Sequence, residues 1–263
     1  MTYAVYRVLY GEDFMEASIK SIVEYVDKIF IFKDDKPWGD VEKVIYKGHE
    51  YKIPIPVDNT DNIINYWQSI FPIKITVIKD HVVNNENQFT HLVNKYILSK
   101  GKNPSKILFI EPDHVFTKSQ AEKLFSSDVS GLCYGTRQIE LWRNTRYRVP
   151  ERSGRLSCIM WNTKDLKEIP KTGRHANPID YKIPMIDVFV HNLGFCMSEK
   201  NMFIKFLLSL GFSKIIGDSA PNFGWYDKWL TWEPSVKNLE ISEGFEDTIP
   251  YAIPYVDPLP ETL

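Results

Sequence analysis

The residues with the clearest chemical potential are Glu111, Asp113 and His114, at the end of the run Lys106-Ile107-Leu108-Phe109-Ile110. Two carboxylates separated by one proline, with an imidazole next in line, suit a hard divalent cation that also grips a phosphate. A second imidazole, His191, closes the apolar run Val188-Phe189-Val190, and Gly194 just after it permits close backbone approach. A neutral imidazole joining a carboxylate around Mn2+ is reasonable ligand chemistry, so Asp113 and His191 are expected to share an ion. A structural reading stands beside each. Acidic residues at a strand end also cap the next helix, and a lone histidine there more often belongs to the core.

These side chains must be held by strands. Ile107 to Ile110 is apolar without alternation, the pattern of a strand buried on both faces. Pro112 cannot donate to a sheet ladder, so the chain leaves the sheet at Glu111-Pro112-Asp113. Open α/β sheets place ligands at the carboxyl ends of their strands. Asp34-Asp35 ends a second strand, Lys28 to Lys33, and could accept hydrogen bonds from ribose or base, or form a solvated turn. Glu12 and Asp13 follow a first strand from Tyr3 to Tyr10, with Asp13 also a plausible cap for a helix over Phe14 to Tyr25.

Further strands are expected over Ile73 to Lys79, Gly131 to Thr136, Ile139 to Tyr147, Leu156 to Trp161 and Ile186 to His191. Helices are expected over Asn87 to Ser99, over Lys118 to Phe125 with Thr117 as cap, and over Ser198 to Leu210. Strand–helix alternation argues for an α/β fold with a right-handed, mostly parallel sheet. Between Lys36 and Pro72 lies an insertion with a hairpin across Gly48 and a short helix from about Asp61 to Ile70. Lys171 to Pro184 reads as a loop, and the proline-rich tail from Pro250 as an extended strap. The whole is expected to be one domain.

Composition narrows the classes. A net charge of −2 gives no general pull toward nucleic acid. No long apolar run or signal peptide is visible, and Cys133, Cys158 and Cys196 lack zinc-knuckle spacing. A cytoplasmic setting is the expectation. No phosphate-binding P-loop, Gly-x-Gly-x-x-Gly or Gly-x-Ser-x-Gly motif appears. Arg137, Arg143, Arg146, Arg148, Arg152 and Arg155 could bind phosphate or merely solvate a strand face; Trp225, Tyr226, Trp229 and Trp232 could stack on sugars or pack a core.

Together these segments resemble a GT-A glycosyltransferase of the family 2-like kind. Arg7 to Phe14 with Ser18-Ile19-Lys20-Ser21 is similar to that family's opening strand, loop and helix, and Val26 to Phe32 with Asp34-Asp35 to its second strand. Asn87-Gln88-Phe89 with Asn94 resembles the helix before the metal strand. Glu111-Pro112-Asp113 stands where the family has Asp-x-Asp, and Val190 to Gly194, with Met202 and Lys205, is similar to its His-x-x-Gly segment. The resemblance implies a Rossmann-like sheet flanked by helices and inverting transfer of a sugar from a nucleotide-diphosphate sugar to a hydroxyl acceptor. It implies Mn2+ or Mg2+ on Asp113 and His191, and a donor bordered by Tyr10, Glu12, Asp13, Asp34, Asp35, Gln88 and Glu111. The base would be Asp187 or Glu140, with Asp180 a third choice. Glu in place of the first Asp, and the intervening proline, are departures that leave two alternatives: a non-catalytic sugar- or nucleotide-binding relative, and a nucleotidyltransferase.

Overall fold

The computed structural model describes residues 1–36, 41–53, 58–79, 86–99, 101, 104–150, 157–170, 183–216, 224–236 and 252–263. In chain order the first elements are β1 (Thr2–Val8), α1 (Met15–Ile22), β2 (Lys28–Lys33), β3 (Lys43–Tyr46), β4 (His49–Lys52), α2 (Thr60–Ile70) and β5 (Ile75–Ile78). Next come α3 (Glu86–Val93), which continues as one π-type turn over Asn94–Leu98, then β6 (Lys106–Ile110), β7 (His114–Val115) and α4 (Lys118–Ser126). The rest are β8 (Cys133–Trp142), β9 (Asn144–Arg148), β10 (Ile159–Asn162), β11 (Met185–Phe195), α5 (Glu199–Ile216), α6 (Gly224–Leu230) and β12 (Ile253–Pro254).

The fold is mixed α/β, with a mostly parallel central sheet flanked by helices. Strands β5, β2, β1 and β6 lie side by side and parallel. Antiparallel β10 joins β6 to β8, which carries β9 and β12 on one side and parallel β11 on the other. Side-chain alternation splits the core across the sheet. Ala4, Tyr6, Ile29, Ile31, Leu108 and Ile110 pack with α1, α2 and α4. Tyr3, Val5, Phe30, Phe32, Ile107 and Phe109 pack with α3 on the opposite face. In α1, Met15, Ile19 and Ile22 recur at helical spacing and are fully buried, which fixes its inward face.

Several boundaries depart from the sequence expectations. Cys133–Trp142 is one continuous strand with no break after Thr136; the chain turns instead at Arg143, whose φ is 65°. The Arg143 guanidinium, 2.9 Å from the Glu199 carboxylate and 4.1 Å from the Trp229 ring centroid, anchors that left-handed corner. The hairpin forms as expected, with Lys47 and Gly48 both at positive φ, as a two-residue turn of matching twist requires. Asp13 does not cap α1: that position is Phe14, without a side-chain cap. Thr117 does cap α4, accepting from the Gln120 N–H at 3.3 Å. Residues 171–182 of the expected loop, including Asp180, lie outside the described residues, as do Arg152 and Arg155.

Candidate active site

The acidic turn follows directly from its sequence. The His114 N–H donates to the Glu111 carbonyl at 3.1 Å, closing a four-residue turn with Pro112 in its second position, where a fixed φ is favourable. Ser18 of α1 pins this turn from below, donating to the His114 carbonyl at 2.7 Å. The chain then enters β7, which pairs antiparallel with β11, and the Leu193 N–H donates to the Asp113 carbonyl at 2.9 Å.

One ligand-type atom from each of Glu111, Asp113 and His114 lies within 4.8 Å of the others. Asp113 is 7% exposed and His114 3%, so these groups are mostly withdrawn from water. The Oδ1 atom of Asp113 is buried with no hydrogen-bond partner among the described residues. A buried carboxylate oxygen left this way is costly unless something else engages it. The His114 ring is held on both edges, with Ser157 Oγ 3.3 Å from Nε2 and Cys158 Sγ 3.4 Å from Nδ1. Burial pushes the Cys158 thiol far above its ordinary range, so it stays protonated and acts as a neutral neighbour.

Across from Asp113 sits Gly194. A Cβ there would come within 2.6 Å of both Asp113 Oδ2 and Lys205 Nζ, so only glycine fits without displacement. Lys205, from α5, donates to the Gly194 carbonyl at 2.7 Å, lies 4.8 Å from the Phe195 ring centroid and stands 4.0 Å from Asp113 Oδ2. The half-buried Cys196 thiol is pushed up to about 12, chiefly by loss of solvation, with Lys205, Asp113 and Glu140 as weaker electrostatic influences. Glu140, 6% exposed, pairs in register with Asn192, two residues before Gly194.

The other expected residues separate into groups. Tyr10 and Asp13 line a small cavity with Pro112 and Asp113, and burial, with the nearby carboxylates of Asp113, Asp58 and Asp13, holds the Tyr10 phenol well above its ordinary range. The Asp13 carboxylate accepts from Asn201 Nδ2 at 2.9 Å and from the Ser198 N–H at 3.3 Å, serving the start of α5 rather than α1. Glu12 accepts from the Asn59 N–H at 2.7 Å and from Asn201 Nδ2 at 2.9 Å, contacts that hold it below the ordinary carboxylate range, led by the Asn59 bond. Asp58 and Thr60 in turn receive the Gly11 N–H, at 2.9 and 2.6 Å. Asp34 is fully buried at the end of β2, its N–H bonded to the Val8 carbonyl at 2.8 Å, whereas Asp35 and Gln88 are exposed.

Two of the expected residues lie apart from the acidic cluster. His191 does not meet Asp113. Successive side chains of β11 alternate, so Gly194 borders Asp113 while His191 points to the other face. There it lines a different cavity, with Nε2 2.6 Å from the Tyr255 hydroxyl. Asp187 is exposed and joined to Lys123 at 2.8 Å, and that ammonium holds it below its ordinary range, the wrong direction for a base. Among the aromatic residues, Trp229 is fully buried against α5, so core packing is the better reading. Sequence reasoning named Lys205 only within the segment similar to the family's His-x-x-Gly region, with no role beside Asp113, and named His114 next to Asp113 without setting it among the ion's expected ligands.

No protein-family model matches the chain, and no curated protein matches it. Solved structures that resemble it include Staphylococcus aureus TarS 1-349 in complex with UDP-GlcNAc, at TM-score 0.43 and 10% identity, covering 87% of this chain and 70% of that one. The inositol-1-phosphate CTP transferase from T. maritima gives TM-score 0.40 and 11% identity, covering 83% of this chain and 97% of that one. A putative glucose-1-phosphate thymidylyltransferase from Bacillus anthracis gives 0.38 and 8%, over 85% and 98%.

Proposed function

We propose that the chain is a glycosyltransferase of GT-A type that uses Mn2+ or Mg2+ and moves a sugar from a nucleotide-diphosphate sugar to a hydroxyl acceptor with inversion. The observation that carries this reading is the cluster of half-buried Glu111 with buried Asp113 and His114 at the carboxyl end of β6, with an unsatisfied Asp113 oxygen. Carboxylate oxygens with one imidazole match the donor preference of Mn2+, and less closely that of Mg2+. Glu111 and Asp113 would hold the ion, and His114 would join them by giving up the contact of one ring nitrogen with Ser157 or Cys158. When bound, such an ion neutralises charge on a departing diphosphate.

The remaining roles belong to the chain itself. Lys205 supplies a fixed positive charge beside Asp113, suited to an anionic diphosphate. Gly194 keeps the space between them open. The buried Asp34 and the Tyr10 phenol border the nucleoside side of the sheet edge, while Glu12 and Asp13 position the first loop through Asn201. Glu140 is the better base candidate, since a buried carboxylate near the cluster can take the acceptor proton. Asp187, exposed and paired with Lys123, is the second base candidate.

The test is incubation of the protein with UDP-, GDP- and CDP-sugars and Mn2+, following phosphorus species and anomeric protons by NMR. Release of nucleoside diphosphate with an inverted glycosidic product supports the proposal. Release of pyrophosphate would instead identify a nucleotidyltransferase, and binding without turnover of any donor would identify a non-catalytic relative.

A further inference from the structure

On the far side of the β7–β11 ribbon lies a second cavity of about 490 Å3, roofed by the segment from Tyr255 to Glu261. We propose that it is a binding site for a neutral saccharide unit, separate from the acidic cluster. Its volume falls within the range of small-molecule sites.

The lining defines the ligand class. Arg148 and Asp257 both border the cavity, and neither side chain makes an ion pair or hydrogen bond among the described residues. Each is a planar group able to bond two neighbouring hydroxyls at once, one as donor and one as acceptor. His191, 2% exposed, is held neutral near physiological pH by burial and is locked to the Tyr255 hydroxyl at 2.6 Å. Gln120 gives its carboxamide oxygen to the Phe189 N–H at 2.8 Å, which leaves its NH2 group as a donor. Ile139 and Phe189 provide an apolar wall, and the Arg137 guanidinium backs the Phe189 ring at 5.7 Å from its centroid.

Competing ligand classes fit less well. Asp257 and Glu261 oppose an anion, although Glu261 is already engaged by the Lys118 N–H at 3.0 Å. A purely apolar ligand would strand Arg148 and Asp257 away from water. A sugar ring combines C–H faces for Ile139 and Phe189 with hydroxyls for the polar groups. The site is also independent of the metal cluster, because β11 presents His191 and Gly194 to opposite faces.

The experiment uses the full chain without added metal. Glucose, galactose and N-acetylglucosamine are tested in turn by saturation-transfer NMR on the wild type, Arg148→Met, Ser119→Trp and Asp113→Asn, with thermal unfolding confirming that each variant folds. Ser119 is exposed at the cavity rim, so tryptophan there fills the space without disturbing the core. At least one sugar should receive saturation on the wild type. Its affinity should fall about tenfold or more in Arg148→Met, as expected for a lost charged hydrogen bond, and vanish in Ser119→Trp. Asp113→Asn should bind as wild type does, whatever happens at the acidic cluster. Absence of saturation from all three sugars would overturn the proposal. So would binding that survives either cavity substitution, or binding lost in Asp113→Asn.

Discussion

The Asp113 carboxylate lies 4.0 Å from the Lys205 ammonium, and Gly194 borders both, so that an added Cβ would come within 2.6 Å of each. The relationship joins three segments distant in the chain: the turn after β6, the end of β11 and the body of α5. It also explains why the glycine is needed, since backbone φ at 194 is not in the left-handed region and space alone decides. Gly194→Ala should therefore lower stability by ~1–3 kcal/mol, the range for overpacking a closed site, and weaken Mn2+ binding. Urea unfolding and a Mn2+ titration of the variant measure both. Wild-type values in both would show that the close approach has no consequence.

Lys205→Met keeps much of the side-chain length and removes the charge. Stability should drop by ~1–3 kcal/mol, because the Gly194 carbonyl loses a charged donor and Asp113 a nearby cation. Nucleoside-diphosphate affinity should fall about tenfold or more, while affinity for the uncharged nucleoside stays unchanged. Calorimetry with UDP and uridine separates the two. An equal loss for both ligands would place Lys205 outside the phosphate side.

Much of this architecture was legible because its signals are local. The unbroken apolar run of β6, the proline that ends it and the Thr117 cap each act within a few residues. The carboxyl-end position of Glu111 and Asp113 followed from them. What stayed hidden depends on strand parity and long-range pairing. His191 and Gly194 differ by an odd number of positions along β11, so one faces Asp113 and the other turns away, and only the pairing with β7 reveals which. Asp13 resembled a cap for the helix that follows it, yet its partner is Asn201, far along the chain. The corner at Arg143 was invisible because arginine carries no preference for positive φ; Glu199 and Trp229 stabilise it from α5 and α6.

Asn201 is 1% exposed, and its Nδ2 serves Glu12 and Asp13 at 2.9 Å each. Asn201→Leu is close in volume but removes both donations. It should cost ~2–4 kcal/mol, as two carboxylates lose a shared buried donor, and it should loosen the loop that borders Asp113. Denaturant unfolding and hydrogen exchange at Gly11 report the two effects. Unchanged exchange at Gly11 would mean that the Asp58 and Thr60 contacts hold the loop alone.

His191 sets a pH dependence. Its folded-state value is lowered to about 4 from 6.5, chiefly by burial. Unfolded chains therefore take up a proton below about pH 6.5 that the folded protein refuses until about pH 4. Stability from this group is complete above that window and declines as pH falls through it, by up to ~3 kcal/mol. His191→Gln should flatten the stability difference between pH 7 and pH 4 relative to wild type, measured by urea unfolding across that range. A slope identical to wild type would show that the imidazole stays accessible to protons.

The most direct measurement is calorimetric titration of UDP and GDP into the protein with and without Mn2+, repeated on Asp113→Asn. The wild type should bind at least one diphosphate more tightly when Mn2+ is present, and the correctly folded variant should lose that enhancement. Binding that ignores Mn2+ in the wild type, or an enhancement that persists in Asp113→Asn, would contradict the account.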